Sequence, residues 1–298
     1  MTRTRSRFHP SDGASRVRLP GERPAVGVAF TDTFTDTDTD TDTDTDTRAE
    51  AVGTALADAC AAALAATLVC VAVGTAVVVA TGPTAVPASS LGALLGLVIV
   101  AGAGASLVHR PGRWSGPADR VTLARAVLIA GCATLAVPVL LGVLPARGWP
   151  LVALVVPTLA LDAVDGTVAR RTGTSSEAGR TLDGEMDAAI LLVLSLAATR
   201  SLGWWVLGIG LMRYAFLAAG HARRSLREGL EFSQFRRVAA AAQGVSLAVG
   251  LAPAVPPVAA AACVGLALAL LTVSFGKDVV HLELRRRQRT RRIGASSG

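Results

Sequence analysis

The apolar residues of this 298-residue chain come in blocks of about 20 that contain little charge. Because the hydrocarbon core of a bilayer is about 30 Å thick, a helix needs about 20 apolar residues to cross it. The blocks therefore predict membrane-spanning helices. The composition agrees, since 51% of the residues are hydrophobic and only 17% are charged.

The blocks predict an all-α fold, a polytopic membrane bundle of eight spans after a polar N-terminal segment. The predicted spans are about 51–80, 88–108, 126–144, 149–165, 186–202, 204–220, 238–252 and 257–275. Residues 1–50 include a Thr-Asp repeat over 31–47 and have almost nothing to bury, so we expect disorder there. The first 25 residues contain no apolar stretch typical of a signal peptide, so the spans themselves should direct insertion.

The basic residues lie between the apolar blocks, in an alternating pattern. With a cytoplasmic N-terminus, the short cytoplasmic segments 109–125, 170–180, 221–237 and 276–298 hold 19 Lys and Arg residues, and the external segments hold 2. This bias predicts a cell-membrane protein with both termini inside. It also argues against nucleic-acid binding as the reason for the net charge of +7.

Acidic residues crowd the segment 161–187, between the fourth and fifth spans. Asp162 and Asp165, at i and i+3, share one face at the end of an apolar helix. Asp183 and Asp187, at i and i+4, share a face of the next helix. Because the loop between them is short, the two helices should be antiparallel neighbours, and four carboxylates should converge at the cytoplasmic edge of the membrane.

Carboxylates crowded near a bilayer need positive charge to compensate them. All-oxygen ligands suit hard cations such as Mg²⁺ or Mn²⁺. The small residues Gly166 and Ala169 allow a ligand to approach the backbone, and the neighbouring arginines can bind phosphate oxygens. The segment therefore predicts a metal-assisted phosphate site.

The same segment resembles the signature of the CDP-alcohol phosphatidyltransferases, whose eight fixed positions are all matched at the right spacing. They are Asp162, Asp165, Gly166, Ala169, Arg170, Gly179, Asp183 and Asp187. The resemblance covers roughly 115–280, because the family has six core helices. It implies a catalytic core over 111–282, two additional transmembrane helices over 51–110 and a basic cytoplasmic tail over 283–298.

Two shorter stretches are similar to phosphatidylglycerophosphate synthases within that family. Asp119, Thr122 and Arg125 stand where those enzymes have Asn-x-x-Thr-x-x-Arg, and Asp119 departs from the Asn. Arg237 and Gln243 stand at the ends of a Lys-x-Lys-Thr-x-x-Gln stretch, whose central Lys-Thr is replaced by alanines. The subfamily therefore stays unassigned.

The resemblance implies transfer of a phosphatidyl group from a CDP-linked donor, CDP-diacylglycerol, to a hydroxyl acceptor in phospholipid biosynthesis, with release of CMP. It implies two Mg²⁺ or Mn²⁺ ions on the four aspartates, with Asp187 also acting as the general base. The CDP-binding residues it implies are Gly166, Ala169, Arg170, Gly179 and Thr122. A homodimer is implied as well, since members of the family often form one.

Two further arginines are candidates for binding the acceptor. Arg213 lies in the middle of the span 204–220, where a charge is costly and normally faces the bundle interior or a wet cavity. Its alternative role is a structural pairing with a carboxylate. Arg237 is the second candidate, from its place in the Lys-x-Lys-Thr-x-x-Gln stretch.

Alternatives remain open for the substrates and for the class of protein. A soluble CDP-alcohol donor with a lipid acceptor uses the same chemistry, and the acceptor could be glycerol 3-phosphate, an inositol phosphate or serine. A metal-ion transporter is the alternative from another class. It would place its carboxylates near mid-membrane and often shows internal repeats, and the sequence has neither feature.

The predicted topology can be tested by labelling introduced cysteines with a membrane-impermeant maleimide. Ser175→Cys and Thr290→Cys should react only from the cytoplasmic side, and Thr84→Cys only from outside, because of the charge bias between the segments. The unsubstituted chain sets the background, since its four native cysteines lie in apolar blocks. Labelling of Ser175→Cys from outside would contradict the topology.

Overall fold

The computed structural model describes residues 39–109, 116–172, 177–222, 234–273 and 276. The description covers the backbone alone at 39–48, 164–172, 177–178, 180, 213, 216–222 and 234–240. The chain divides into a short unit, Met1–Asp42, and a long one, Thr43–Gly298, which contains everything described below apart from the first turn of α1.

The described residues form eight α-helices and no β-strand. The helices are α1 Thr39–Thr81, α2 Val86–Val108, α3 Pro117–Leu140, α4 Trp149–Thr172, α5 Glu177–Leu202, α6 Leu207–Ala222, α7 Gln234–Leu251 and α8 Pro257–Val273. Each overlaps one predicted span, so the all-α fold class is confirmed. Short 3₁₀ turns precede α2 and α6, and each follows a glycine with positive φ, Gly82 and Gly203.

Three helical segments of the described chain are long and apolar enough to cross a membrane: Ala49–Thr81, Pro83–Val108 and Pro117–Leu140. Shorter apolar segments lie at Trp149–Ala163, Ala241–Leu251 and Pro257–Val273. The protein is therefore a membrane helical bundle. The number of crossings and the orientation of the termini stay predictions.

Helix boundaries differ most from the predicted ones at α1, α3, α4 and α5, and α5 begins nine residues before its predicted span. Helix α1 begins at Thr39, so 39–50 is helical where disorder was expected, and residues 1–38 lie outside the described part. Acidic residues near a helix N-terminus are stabilised by the helix dipole, which favours this extension. Helix α3 begins nine residues before its predicted span, and α4 continues to Thr172.

Helix α3 is the central element of the described bundle. It packs against α2 on one side of its circumference and against α4 and α5 elsewhere, while α5 also contacts α6 and α7. Small residues of α3 such as Ala126, Ala130 and Ala133 are fully buried, which lets the neighbouring backbones approach closely. As a result, a polar side chain in the middle of α3 is enclosed by several helices.

Arg147 lies in the connection between α3 and α4 and joins it to the connection between α7 and α8. Its Nε donates to the Gly250 carbonyl at 2.9 Å and its Nη1 to the Val255 carbonyl at 2.7 Å. These carbonyls lie at the end of α7 and in the turn before α8. The guanidinium thus satisfies backbone acceptors that the helix end leaves without intrahelical partners.

Candidate active site

The site begins with the N-terminus of α3. Pro117 occupies the first helical position, where its missing N–H has no cost. Asp119 accepts a hydrogen bond from the Gly116 backbone N–H at 3.0 Å, which caps the helix. This start lets α3 include both Thr122 and Arg125, which the sequence placed in a connecting segment.

Arg125 is the most enclosed charged side chain in the described part of the chain, with only 1% of its side chain exposed. Its Nη1 lies 2.5 Å from Asp183 Oδ1 and 3.0 Å from Asp162 Oδ1. Its Nη2 lies 2.5 Å from Asp187 Oδ1. One guanidinium therefore pairs with carboxylates from two other helices.

The three carboxylates come from α4 and α5. Asp183 and Asp187 lie one turn apart on α5, so their side chains share a face, and α4 carries Asp162 to the same point. Their side chains are about two-fifths exposed, at 37%, 43% and 39% for Asp162, Asp183 and Asp187. The cluster is thus closed by Arg125 on its inner side and reachable from outside.

The donor set of this cluster fits a divalent cation. One oxygen from each of Asp162, Asp183 and Asp187 lies within 4.8 Å of the others. Neighbouring oxygens around one octahedral Mg²⁺ are about 3 Å apart, so the three carboxylates would move closer together around such an ion. Three carboxylates and one guanidinium also carry a net charge of −2, which one divalent cation would neutralise.

The remaining signature residues follow on the same two helices. Asp165 comes three residues after Asp162 on α4, a spacing that favours one face, although its side chain lies outside the description. Gly166, Ala169 and Arg170 follow the end of the predicted apolar span at about 165, and they lie on α4 itself. The helix continues because this stretch contains no proline, and a helix can extend into polar residues beyond its apolar part.

Two candidate CDP-binding residues have described side-chain environments. Thr122 is buried one turn before Arg125, and its hydroxyl donates to the Ala118 carbonyl of its own helix at 3.1 Å. Gly179 lies half-buried in the first turn of α5, one turn before Asp183. Both therefore stand near the carboxylate cluster along their helices.

The candidate acceptor-binding arginines lie on α6 and α7. Arg213 is in the middle of α6 and Arg237 is in the first turn of α7. Their side chains lie outside the description, so the structure neither joins them to the cluster nor separates them from it.

The residue that sequence reasoning missed is Arg125 as a member of the site. The signal was present, because Arg125 ends the stretch that resembles Asn-x-x-Thr-x-x-Arg. The charge pattern instead places it among the basic residues that set membrane orientation. Gln243, from the second such stretch, is fully buried on α7, and its amide nitrogen has no partner among the described residues.

Comparison with known proteins gives the class of the molecule. The family model described as CDP-alcohol phosphatidyltransferase matches residues 117–274, which is more than half of the chain. The chain belongs to the CDP-alcohol phosphatidyltransferase family, and it is an enzyme that transfers substituted phosphate groups. No curated protein and no solved structure matches the chain. Helices α1 and α2 lie outside the matched residues.

Replacing Arg125 by Met should destabilise the protein, because it leaves three carboxylates without their shared counter-charge. We expect a loss somewhat below the ~3–5 kcal/mol typical of breaking a fully buried pair, since the carboxylates are partly solvated. Thermal unfolding in detergent with EDTA measures this loss. Mn²⁺ should restore more stability to Arg125→Met than to the unsubstituted chain.

Arg120→Met is the matched control for that experiment. Arg120 lies on the same helix and pairs with Asp58 at 3.1 Å, but its side chain is 66% exposed. Removing such a surface pair should cost about 0–1 kcal/mol. Equal losses in the two variants would show that the Arg125 contacts contribute nothing particular to stability.

Proposed function

We propose that this membrane phosphotransferase moves a phosphatidyl group from CDP-diacylglycerol to the hydroxyl of a small acceptor and releases CMP. The observation that carries the proposal is the convergence of Asp162, Asp183 and Asp187 on the Arg125 guanidinium. These aspartates are signature residues, so the cluster coincides with the family's catalytic segment. The family implies a CDP-linked donor and a hydroxyl acceptor within a membrane.

The aspartates would hold the divalent ions that the family uses. Asp162, Asp183 and Asp187 offer carboxylate oxygens that lie within 4.8 Å of one another, and Asp165 would add a fourth carboxylate from the same face of α4. When bound, Mg²⁺ or Mn²⁺ would neutralise the diphosphate and stabilise the departing CMP. Two ions would be needed to use four carboxylates in this way.

Asp187 is the proposed general base. The acceptor hydroxyl must lose its proton as its oxygen bonds to phosphorus and the bond from phosphorus to the CMP oxygen breaks. A carboxylate oxygen of Asp187 would take that proton. The pairing of Arg125 with Asp187 Oδ1 supports this role, because it fixes the orientation of the carboxyl group.

The remaining candidate residues would bind the substrates. The small residues Gly166, Ala169 and Gly179 would let CDP approach the helix backbones, with Arg170 and Thr122 supplying polar contacts. Arg213 and Arg237 would bind the phosphate or polar head of the acceptor. This division places the donor between α4 and α5 and the acceptor towards α6 and α7.

The cellular setting is part of the proposal. The excess of basic residues in alternate segments supports a cell-membrane location with both termini and the carboxylate cluster on the cytoplasmic side. The homodimer stays a prediction.

The experiment that tests the function is a panel of hydroxyl acceptors with purified protein, CDP-diacylglycerol and Mn²⁺. CMP release together with a new phospholipid supports the proposal and identifies the acceptor. A parallel reaction with soluble CDP-alcohols and diacylglycerol tests the reverse assignment of donor and acceptor. Mn²⁺ uptake into proteoliposomes without any CMP release would instead support a transporter.

The metal-ligand assignment predicts the effect of removing single charges. Asp162→Asn, Asp165→Asn and Asp183→Asn should each abolish CMP release, because each removes a charge from a cation that neutralises diphosphate. Glu185→Gln is the matched control, since it removes the same charge from α5 between two cluster members but on another face. Near-normal release at limiting Mn²⁺ in any aspartate variant would contradict that residue's assignment.

Asp187→Asn should separate a base from a ligand. Removing a general base typically slows the reaction by about 10²–10⁴-fold while leaving donor binding intact. The acidic limb of the pH–rate profile should also flatten, since that limb would report ionisation of this carboxyl group. If Asp187→Asn loses CDP-donor binding as completely as Asp162→Asn does, Asp187 is mainly a ligand and the base lies elsewhere.

A further inference from the structure

The α1–α2 hairpin lies outside the residues that match the family, yet α2 packs directly against the helix that carries Arg125. We propose that this hairpin is part of the catalytic unit, and that Gly92 and Gly96 of α2 are positioning residues that fix Arg125 among the carboxylates by holding α3 in place. Only the catalytic consequence of this inference rests on the proposed function.

Two glycines bring α2 into close contact with α3. A Cβ atom at Gly96 would lie 2.6 Å from Ala130 Cα and 2.8 Å from Ala130 Cβ. A Cβ atom at Gly92 would lie 2.6 Å from the Ala133 carbonyl oxygen and 2.8 Å from Thr134 Cα. Because two atoms of this kind do not approach below 3.0 Å, the backbones are closer than any residue with a side chain permits.

This contact is of the kind that joins helices inside membranes. Gly92 and Gly96 are four residues apart and so lie on one face of α2. Small residues in that spacing allow helices to associate through van der Waals contact where lipid provides no hydrophobic driving force. The contact therefore holds the backbone of α3 directly against that of α2.

Helix α1 adds a second contact on the other side of Arg125. Asp58 Oδ2 lies 3.1 Å from Arg120 Nε, and α1 and α2 are themselves held close where Gly104 faces Ala59. Arg120 and Ala130 are five residues before and after Arg125, which is about 7.5 Å in each direction along the helix. The hairpin thus contacts α3 on both sides of the buried arginine.

The geometry of α3 directs Arg125 away from the hairpin. At 100° per residue, the face formed by Ala130, Ala133 and Thr134 is roughly 130° around the helix from Arg125. Arg125 instead reaches carboxylates of α4 and α5, with contacts as short as 2.5 Å. A displacement of α3 by about 1 Å would break that geometry, and such errors can cost about 10²-fold in rate.

A hairpin that only stabilised the bundle would behave differently from one that positions Arg125. In the first case, disturbing the α2–α3 contact and altering Arg125 would have independent, additive effects. In the second case their effects would be coupled, because both act through the same guanidinium. A double-mutant cycle therefore distinguishes the two roles.

The experiment compares Gly96→Ala with Gly102→Ala in the full-length chain, each with Arg125 intact and with Arg125→Lys. Gly102 lies on the same helix and is exposed, and a Cβ atom at that position would have no neighbouring atom within 4 Å, so it is a matched control. Lysine keeps the charge but loses the guanidinium fork. Both the thermal unfolding midpoint and CMP release are measured for each variant.

With Arg125 intact, Gly96→Ala should slow CMP release by about 10- to 100-fold, whereas Gly102→Ala should leave it unchanged. In the Arg125→Lys background, Gly96→Ala should change the residual rate by less than about three-fold, since the guanidinium it misplaces is already gone. Equal fold-changes in both backgrounds, or normal activity of Gly96→Ala, would overturn the inference.

The unfolding midpoint tests the same inference without any activity. Arg125→Lys should lower the midpoint less in the Gly96→Ala chain than in the Gly102→Ala chain, and equal shifts would overturn the coupling. If the unsubstituted chain releases no CMP, the proposed function fails and the midpoints alone decide on the hairpin. If Gly96→Ala does not fold, Asp58→Asn replaces it. Asp58→Asn should slow CMP release by about 2- to 5-fold with Arg125 intact, and it should have no further effect in the Arg125→Lys chain.

Discussion

One buried guanidinium organises the centre of this protein. Arg125 is almost fully enclosed, and an arginine in such a place is costly unless its charge is paired. Its partners Asp162, Asp183 and Asp187 come from two other helices, so the ion pairs join α3, α4 and α5 at one point. The cap at Asp119 contributes to this arrangement, because it starts α3 early enough to include Arg125.

Pairing with Arg125 also changes how the carboxylates can meet a cation. Three carboxylates without a counter-charge would repel one another and separate, and a metal would then have to gather them. Here the guanidinium already holds them within a few ångströms, while its single charge leaves two negative charges for a divalent ion. The arrangement is therefore pre-organised, and a divalent cation bound to these carboxylates would share them with the arginine instead of drawing them together.

The helical fold and most of the carboxylate cluster follow from the sequence. Apolar block length predicts the order of the eight helices, and the i, i+3 and i, i+4 spacings predict which aspartates share a face. Boundaries were less predictable, because polar residues such as those at 39–50 and 166–172 can continue a helix beyond its apolar part.

Arg125 was misassigned because a basic residue near a span is usually exposed. Only the fold shows that α3 begins early enough to enclose it. The Gly92 and Gly96 contacts were hidden for the same reason, since spacing alone does not reveal which neighbour a glycine faces.

The length of α4 bears on how a lipid and a water-soluble molecule can meet at one site. The apolar part of α4 ends near Ala163, and the helix continues to Thr172, about 13 Å further along its axis. Asp162 stands at that change from apolar to polar residues. In the proposed function, a lipid donor arriving by lateral diffusion would bring its diphosphate to the carboxylates at the bilayer surface, while the polar extension of the helix would stand in water beside the nucleotide. The enzyme would then work on a two-dimensional reservoir of one substrate and a three-dimensional reservoir of the other.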